Sequence, residues 1–318
     1  FQGRWLTMAN QSNISMSLDP DIIEDIAAEM GISSAFVEKD WYAVQALKAL
    51  AEHESDGFQA IFSGGTSLSK GYGLIQRFSE DLDFRCLALR SGSAGQMRKL
   101  RRAYRGGILG AVESVDVLVL DRDQVTVASN YVKFELGYPQ NHDTSASLRA
   151  GLQIEFSFTQ PRLEAEVRQV QSFVSYYTET EPEVEILCLP PIETAADKLS
   201  ALTWRVLKRD RSAHGDDPAM IRHLHDISAL ISVIRGDQEL FVDVAESSFE
   251  GDRQTGKRDT QAPFTESIQE AIECLDNDEE YREEYRQFVD AMSYADDDES
   301  VDFDSAVDTL QEVAALFE

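Results

Sequence analysis

Cysteine and long apolar runs are both scarce in this chain of 318 residues. Its three cysteines, Cys86, Cys188 and Cys274, are far apart and lack the close spacing of a metal site. We therefore expect buried, reduced thiols rather than disulfides or a zinc centre. No run of about 18 apolar residues occurs, which argues against a membrane-spanning helix. The apolar block of a signal peptide is also missing, so we expect a cytoplasmic protein with no membrane partner.

Positive charge is in short supply as well. The chain has 29 Lys and Arg against 58 Asp and Glu, a formal net charge of −29. Residues 236–318 alone hold 26 acidic and 5 basic side chains, a balance of −21. This surface repels nucleic acid at long range, which argues against indiscriminate nucleic-acid binding. It fits either a basic protein partner or a solvated face that keeps the protein soluble.

Hydrophobic periodicity divides the chain into a β-rich centre and a helical C-terminal part. Helices are predicted over 18–54, with a break at Gly31, and over 94–109. Strand-like runs occupy 58–63, 82–89, 112–120, 125–138, 152–158 and 167–177. After Pro190-Pro191 the spacing is helical at 192–208, 218–235 and 263–317, with a polar loop or hinge at 251–257.

These segments predict an α+β protein with two domains. Residues 8–190 would form a mixed sheet flanked by helices, and residues 191–318 a helical domain with an acidic C-terminal part. Residues 1–7 look like a protease-cleavage remnant ahead of a natural start at Met8.

The most informative segment joins a strand to Gly64 and Gly65 and then, some 15 residues on, to Asp81 and Asp83. Strand side chains alternate, so the two aspartates face one side while Leu82 faces the core. Neighbouring carboxylates repel each other, and Mg²⁺ or Mn²⁺ between them removes that repulsion. Adjacent glycines let the backbone approach a phosphate, whose charge the N–H groups of the next helix can meet. The segment predicts a nucleoside triphosphate (NTP) site with Asp81 and Asp83 as metal ligands.

The full pattern, Gly-Gly-Thr-x-Leu-x-Lys and then Arg-x-Ser-x-Asp-x-Asp, resembles the signature of the AbiEii/AbiGii-type nucleotidyltransferase toxins. That family is a branch of the DNA polymerase β-like superfamily. The resemblance implies a polymerase β-like nucleotidyltransferase core and transfer of a nucleoside monophosphate from an NTP to an acceptor hydroxyl. It also implies a toxin–antitoxin or phage-defence role, a cognate antitoxin, and tRNA 3′ ends as one acceptor class.

Two later helices carry a second resemblance. The run Asp197-Lys198-Leu199-Ser200-Ala201-Leu202 resembles the family's C-terminal motif, in which the lysine faces the nucleotide; an exposed acidic helix face is the alternative. Lys198 would then neutralise the leaving pyrophosphate. The following helix resembles the family's Arg-Asp-x-x-Asp-Leu pattern, with His223 at the first aspartate and Asp226 at the second. Asp226 is the expected partner of Lys198 or Arg205. His223 and His225 face different directions on a helix and are not expected to bind a metal.

A third acid should complete the catalytic group. Glu155 stands alone among apolar strand residues, where an unpaired carboxylate is costly to bury. Glu135 is its rival on another strand, and the family pattern favours Glu155. The alternative role for either glutamate is an ion pair with Lys133.

Further nucleotide contacts are expected from Thr66, Ser67 and Lys70 beside the two glycines. The two hydroxyls could instead cap a helix, and Lys70 could instead lie on the surface. Arg77 is expected to anchor the loop before Asp81.

RNA binding has a candidate surface despite the overall charge. Basic side chains crowd the helix predicted over 94–109 and the end of the helix predicted over 192–208. They are Arg98, Lys99, Arg101, Arg102 and Arg105, and then Arg205, Lys208, Arg209 and Arg211. Two other functions remain open: nucleotide transfer to a protein side chain, and non-catalytic sequestration of a partner by the acidic region.

Overall fold

The computed structural model describes residues 18–142, 148–258, 261–295 and 300–318. Residues 1–7 and Met8 lie outside this part of the chain. The strands are β1 (Phe58–Ser63), β2 (Asp81–Ala88), β3 (Val119–Leu120), β4 (Thr126–Val127), β5 (Tyr131–Gly137), β6 (Leu152–Ser157), β7 (Glu166–Val170) and β8 (Val184–Cys188).

Helices precede, interrupt and follow the strands. They are α1 (Pro20–Met30), α2 (Ser34–Ala51), α3 (Gly64–Thr66), α4 (Ala94–Glu113), α5 (Phe173–Tyr177), α6 (Pro191–Leu207), α7 (Arg222–Ala229), α8 (Ile231–Gly236), α9 (Gln238–Gln254), α10 (Phe264–Asn277), α11 (Glu279–Phe288) and α12 (Phe303–Ala314). Shorter turns of helix lie at Ser67–Gly71, Arg122–Gln124, Pro218–Ile221, Asp290–Met292 and Ala315–Phe317. No described helix is both long enough and apolar enough to cross a bilayer.

The described strands form one mixed sheet in the order β3-β5-β6-β2-β1-β8-β7, with β4 paired to β5. The pairs β2–β6 and β1–β8 are parallel, and the others are antiparallel. Strand β2 therefore lies between β1 and β6. A mixed sheet flanked by helices confirms the predicted fold class.

Alternation along β2 gives the sheet one apolar and one polar face. Leu82 and Phe84 are buried on the apolar face, where the Phe84 ring stacks on that of Phe156 with centroids 4.4 Å apart. Helices α2 and α4 cover this face, and Tyr104 of α4 meets Phe156 edge-on. The capping box that Ser93 and Gln96 form fixes the start of α4.

The polar face carries Asp81, Asp83 and Arg85. The Arg85 guanidinium donates hydrogen bonds to Glu193 and Asp197 of α6, so the C-terminal helices approach the sheet from this side. Those helices share a hydrophobic core of their own, built by α6 to α12. Leu68 and Ile75, both in the segment between β1 and β2, are part of that core and join the helices to the sheet.

Several boundary predictions are wrong for identifiable reasons. The run 112–120 is mostly not a strand, because Val112 extends the apolar face that Tyr104 and Ile108 form on α4. The run 167–177 splits into β7 and α5, since the Ser172 hydroxyl accepts from the Ser175 N–H and starts a helix.

Three further predictions need correction. The run 125–138 is two strands, β4 and β5, rather than one. Most of the expected loop 251–257 is the end of α9, a helix that the sequence analysis did not predict. Cys86 and Cys188 are buried as expected, whereas Cys274 is exposed, because it lies off the apolar stripe of α10.

The stacked rings give a test of the sheet core. Phe156→Ala removes a fully buried ring, so we expect the free energy of unfolding in urea to fall by about 3–5 kcal/mol. Val167→Ala, at a side chain that is 59 % exposed on β7, is the control and should change it by less than about 0.5 kcal/mol. A loss below about 1 kcal/mol for Phe156→Ala would contradict this account of the core.

Candidate active site

A cavity of about 760 Å³ opens between the polar face of the sheet and the helices α6 and α7. Its sheet wall carries Asp81, Asp83 and Glu155, and its helical wall carries Lys198 and His223. Gly65 lies on the wall that the β1–β2 loop provides. The structure thus brings together residues from segments more than 100 positions apart in sequence.

The three acids are adjacent because of strand register. Asp83 on β2 pairs with Glu155 on β6, and Asp81 with Gln153, so all four side chains share the polar face. Glu155 lines the cavity. Glu135 is exposed on β5, beside Gly151, and is not among the lining residues. No described ion pair joins Lys133 to either glutamate, although Lys133 also lines the cavity.

The electrostatics of the acids depend on this proximity. Burial, followed by the negative charges of Asp81 and Glu155, raises the pKa of Asp83 to about 7. Burial also raises the pKa of Asp81, and the Arg149 guanidinium opposes that rise. A cation would relieve the repulsion by interacting with several of these carboxylates at once.

The two glycines allow the loop to pack directly against the acid-bearing strand. Gly64 has a φ of 75°, and a Cβ there would overlap the Asp83 carboxylate. A Cβ on Gly65 would lie 2.6 Å from the Ser79 hydroxyl oxygen. The Thr66 hydroxyl donates to the carbonyl of Asp81 at 2.6 Å. Thr66 therefore fixes the loop to β2 and does not cap a helix.

Two of the expected nucleotide contacts lie elsewhere. Ser67 is buried and is not among the lining residues. The Lys70 ammonium pairs with buried Asp40 and lies 3.7 Å from the centre of the Phe173 ring. The structure therefore places Lys70 neither at the cavity nor on the surface, and its partner is an acid that the sequence analysis did not single out.

Asp226 organises the helical wall. Its carboxylate pairs with the Lys198 ammonium at 2.7 Å and accepts two hydrogen bonds from Arg77, at 2.8 and 2.6 Å. These cations hold the pKa of Asp226 well below its usual range although burial opposes them. Lys198 is the expected partner, whereas Arg205 pairs with Asp217 instead. Arg77 anchors its loop, as expected, by bonding both Asp226 and the carbonyl of Phe78.

His223 contributes a neutral ring to the same wall. Burial, together with the charges of Lys198 and Arg205, moves the pKa of His223 well below its usual value. Its Nδ1 is buried and has no hydrogen-bond partner among the described residues. His225 instead contacts Asp226 at 3.1 Å and does not line this cavity.

The sequence analysis missed Arg149 and Arg222, which both line the cavity. Arg149 follows a polar stretch of sequence and is far from the recognised motifs, so only its position as a single arginine just before β6 could have indicated it. Arg222 is the arginine of the Arg-x-x-x-Asp-Ile run, next to His223, and its place in the family-like pattern was the signal that could have found it.

Most of the expected basic residues lie apart from the acids, although Arg205 lines the cavity with them. Helix α4, with Arg98, Lys99, Arg101, Arg102 and Arg105, covers the opposite face of the sheet. Arg209 forms ion pairs with Asp216 and Glu284, and Arg211 with Asp278. The charges of Arg209 and Arg211 are therefore paired within the protein, whereas a role of the α4 side chains in RNA binding stays a prediction.

Comparison with known proteins decides the family. The family model described as nucleotidyl transferase AbiEii toxin, Type IV TA system, matches residues 45–311, which is most of the chain. The chain belongs to this AbiEii family. It is a nucleotidyltransferase toxin of a type IV toxin–antitoxin system.

A solved structure supports the fold of this AbiEii protein. MenT4, a nucleotidyltransferase toxin from Mycobacterium tuberculosis H37Rv, superposes with a TM-score of 0.55 at 17 % sequence identity. The match covers 95 % of this chain and 100 % of that one. Among the curated proteins none matches the chain. The family implies an NTP substrate, a divalent metal and an antitoxin partner.

The carboxylates of the AbiEii site suit that metal chemically. Asp81, Asp83 and Glu155 offer oxygen ligands, and burial, followed by the charges of Asp81 and Glu155, raises the pKa of Asp83. The described residues nevertheless contain no group of three acids, histidines or cysteines already spaced as a complete metal cage. Two carboxylates with ligands from substrate phosphates are the arrangement that Mg²⁺ commonly takes.

The pKa of Asp83 predicts how stability depends on pH. Because folding raises the pKa of Asp83, the protonated Asp83 side chain contributes its full stabilisation of the folded protein below about pH 4. This contribution is lost as pH rises towards about 7. Asp83→Asn removes the penalty, so at pH 8 the variant should be more stable than wild type by up to about 4 kcal/mol in metal-free buffer. At pH 4 the two proteins should unfold alike.

Urea unfolding at both pH values in the presence of EDTA provides the measurement. Asp56→Asn, at a side chain that is 88 % exposed, is the matched control and should behave as wild type does. If Asp83→Asn is no more stable than wild type at pH 8, the pKa of Asp83 is not raised in the folded protein.

Proposed function

We propose that this toxin uses Mg²⁺ or Mn²⁺ to transfer a nucleoside monophosphate from an NTP to a hydroxyl group of RNA, with a tRNA 3′ end as the acceptor. It would act in the cytoplasm, within its toxin–antitoxin system and in defence against phage. The observation that carries the proposal is the placement of Asp81, Asp83 and Glu155 on one face, opposite Lys198, in one cavity.

In this proposal the sheet wall binds the metal and the helical wall binds phosphate. Asp81 and Asp83 supply carboxylate oxygens. The metal, when bound, neutralises the triphosphate and makes an acceptor hydroxyl easier to deprotonate. Backbone N–H groups at Gly64 and Gly65 would meet phosphate oxygens, since Gly65 lines the cavity.

Glu155 and Lys198 divide the remaining work. Glu155 accepts the proton of the acceptor hydroxyl, whose oxygen forms a bond to the α-phosphorus. The bond from that phosphorus to the β-phosphate bridging oxygen breaks, and pyrophosphate leaves. Lys198, held in place by Asp226 at 2.7 Å, neutralises the negative charge that develops on the leaving group.

The acceptor must reach the cavity from the open side. A volume of about 760 Å³ lies within the range of small-ligand sites, enough for an NTP and an acceptor end but not for a folded RNA. The basic residues of α4 would contact only RNA that extends around the sheet to its other face. Recognition near the cavity therefore depends on the few cations of its walls, among them Arg205 and Arg222.

Label transfer tests the proposal. Protein incubated with Mg²⁺, total cellular RNA and each α-³²P NTP should transfer label to RNA, most strongly to tRNA. Asp81→Asn with Asp83→Asn should reduce the rate at least about 1000-fold, because several kcal/mol of charge stabilisation are lost. Asp56→Asn should leave the rate unchanged, since Asp56 is exposed and pairs with Arg90 on the surface.

The same experiment separates the alternatives. If protein carries the label instead of RNA, the acceptor is a protein side chain and the RNA acceptor proposed here is wrong. Cell growth supplies the second readout: toxicity that survives the double aspartate substitution would indicate sequestration of a partner rather than catalysis. Loss of both toxicity and transfer supports the proposed function.

A further inference from the structure

Arg149 makes the closest described contact between a cation and the proposed metal ligands. Its Nη1 donates to Asp81 Oδ1 at 2.8 Å and to Gln153 Oε1 at 2.8 Å. Both acceptors lie on the polar face of the sheet, at neighbouring positions of β2 and β6. The Arg149 guanidinium therefore binds Asp81, one of the two carboxylates that would hold a metal.

The backbone of Arg149 is fixed by a buried ion pair. Its N–H donates to Glu80 Oε2 at 2.9 Å, and its carbonyl accepts from the Lys39 ammonium at 2.7 Å. Lys39 and Glu80 are joined to each other at 2.7 Å, with side chains that are 1 % and 7 % exposed. This clamp connects α2, the residue before Asp81, and the start of β6.

The side chain has more freedom than its backbone. Arg149 is 43 % exposed and faces the open cavity, so its guanidinium can turn without disturbing the clamp. A half-exposed ion pair contributes little stability, about 1 kcal/mol or less, and can be exchanged at small cost. Guanidinium also matches phosphate oxygens in a bidentate arrangement that lysine does not reproduce.

We propose that Arg149 is a triphosphate-binding residue that exchanges its Asp81 carboxylate for substrate phosphate when metal and NTP bind together. The inference rests on the proposed function of the cavity and adds a role for a residue outside the recognised motifs. Metal alone must compete with the guanidinium for Asp81. Metal with NTP does not, because the phosphates provide the guanidinium with a new partner.

The exchange gives Arg149 opposite effects on two affinities. In Arg149→Gln, Mn²⁺ alone should bind about three- to tenfold more tightly, because its competitor for Asp81 is gone. Binding of the α,β-methylene NTP analogues with Mn²⁺ should weaken about tenfold or more, because a charged hydrogen bond to phosphate is lost. A residue with only a structural role would weaken both.

Two equilibrium measurements on the full chain test the proposal. Electron paramagnetic resonance gives the Kd of Mn²⁺ alone, and calorimetry with saturating Mn²⁺ gives the Kd of each of the four analogues. Arg90→Gln removes the same charge at a 60 % exposed surface arginine and should alter neither Kd. Arg149→Lys keeps the charge without the guanidinium geometry and should recover only part of the analogue affinity.

The results separate this inference from the proposed function. Unchanged or weaker Mn²⁺ binding by Arg149→Gln, or unchanged analogue binding, would overturn the role of Arg149 while wild type still binds each ligand. If wild type itself shows no Mn²⁺-dependent binding of any analogue, the proposed function fails instead. The variant should fold, because the backbone groups of Arg149 make the clamp contacts whatever its side chain.

Discussion

Mutual repulsion among three carboxylates on one face of two parallel strands is the constraint on which the rest of the site depends. The β2–β6 register places Asp83 beside Glu155, and the spacing along β2 adds Asp81. Burial, followed by the charges of Asp81 and Glu155, raises the pKa of Asp83 to about 7. The protein can maintain this arrangement because Phe84 and Phe156 anchor the same strands in a stacked core on the opposite face. Fold stability and the reactive site thus come from alternate residues of the same two strands.

Cations from distant parts of the chain surround these acids, each held by a partner. Asp226 binds both Arg77 and Lys198, so one buried carboxylate links the loop before β2 to α6 and α7. Lys39 and Glu80 hold the backbone from which Arg149 reaches Asp81. Losing one member of such a buried pair leaves the other uncompensated, at a cost of about 3–5 kcal/mol. The helical part of the chain therefore completes the cavity as well as covering the sheet.

The sequence predicted those features that local pattern determines. Alternation along β2 was enough to place Asp81 and Asp83 together, and the resemblance to the family pattern favoured Glu155 over Glu135. Register and burial could not be read in the same way. Lys70 follows the glycines as the family motif requires, yet its partner Asp40 lies on α2 and comes close only through packing. The basic run on α4 is conspicuous in the sequence, but the apolar stripe formed by Tyr104 and Ile108 turns that helix to the other side of the sheet. Arg149 belongs to no motif, and only the β2–β6 pairing brings it to Asp81.

The position of a bound metal tests the central claim most directly. Crystals grown with Mn²⁺ and a non-hydrolysable NTP analogue should give an anomalous difference peak within about 2.5 Å of carboxylate oxygens of both Asp81 and Asp83. The triphosphate should lie between that peak and Lys198. A manganese peak away from these two aspartates, or a triphosphate bound outside the cavity, would contradict the account.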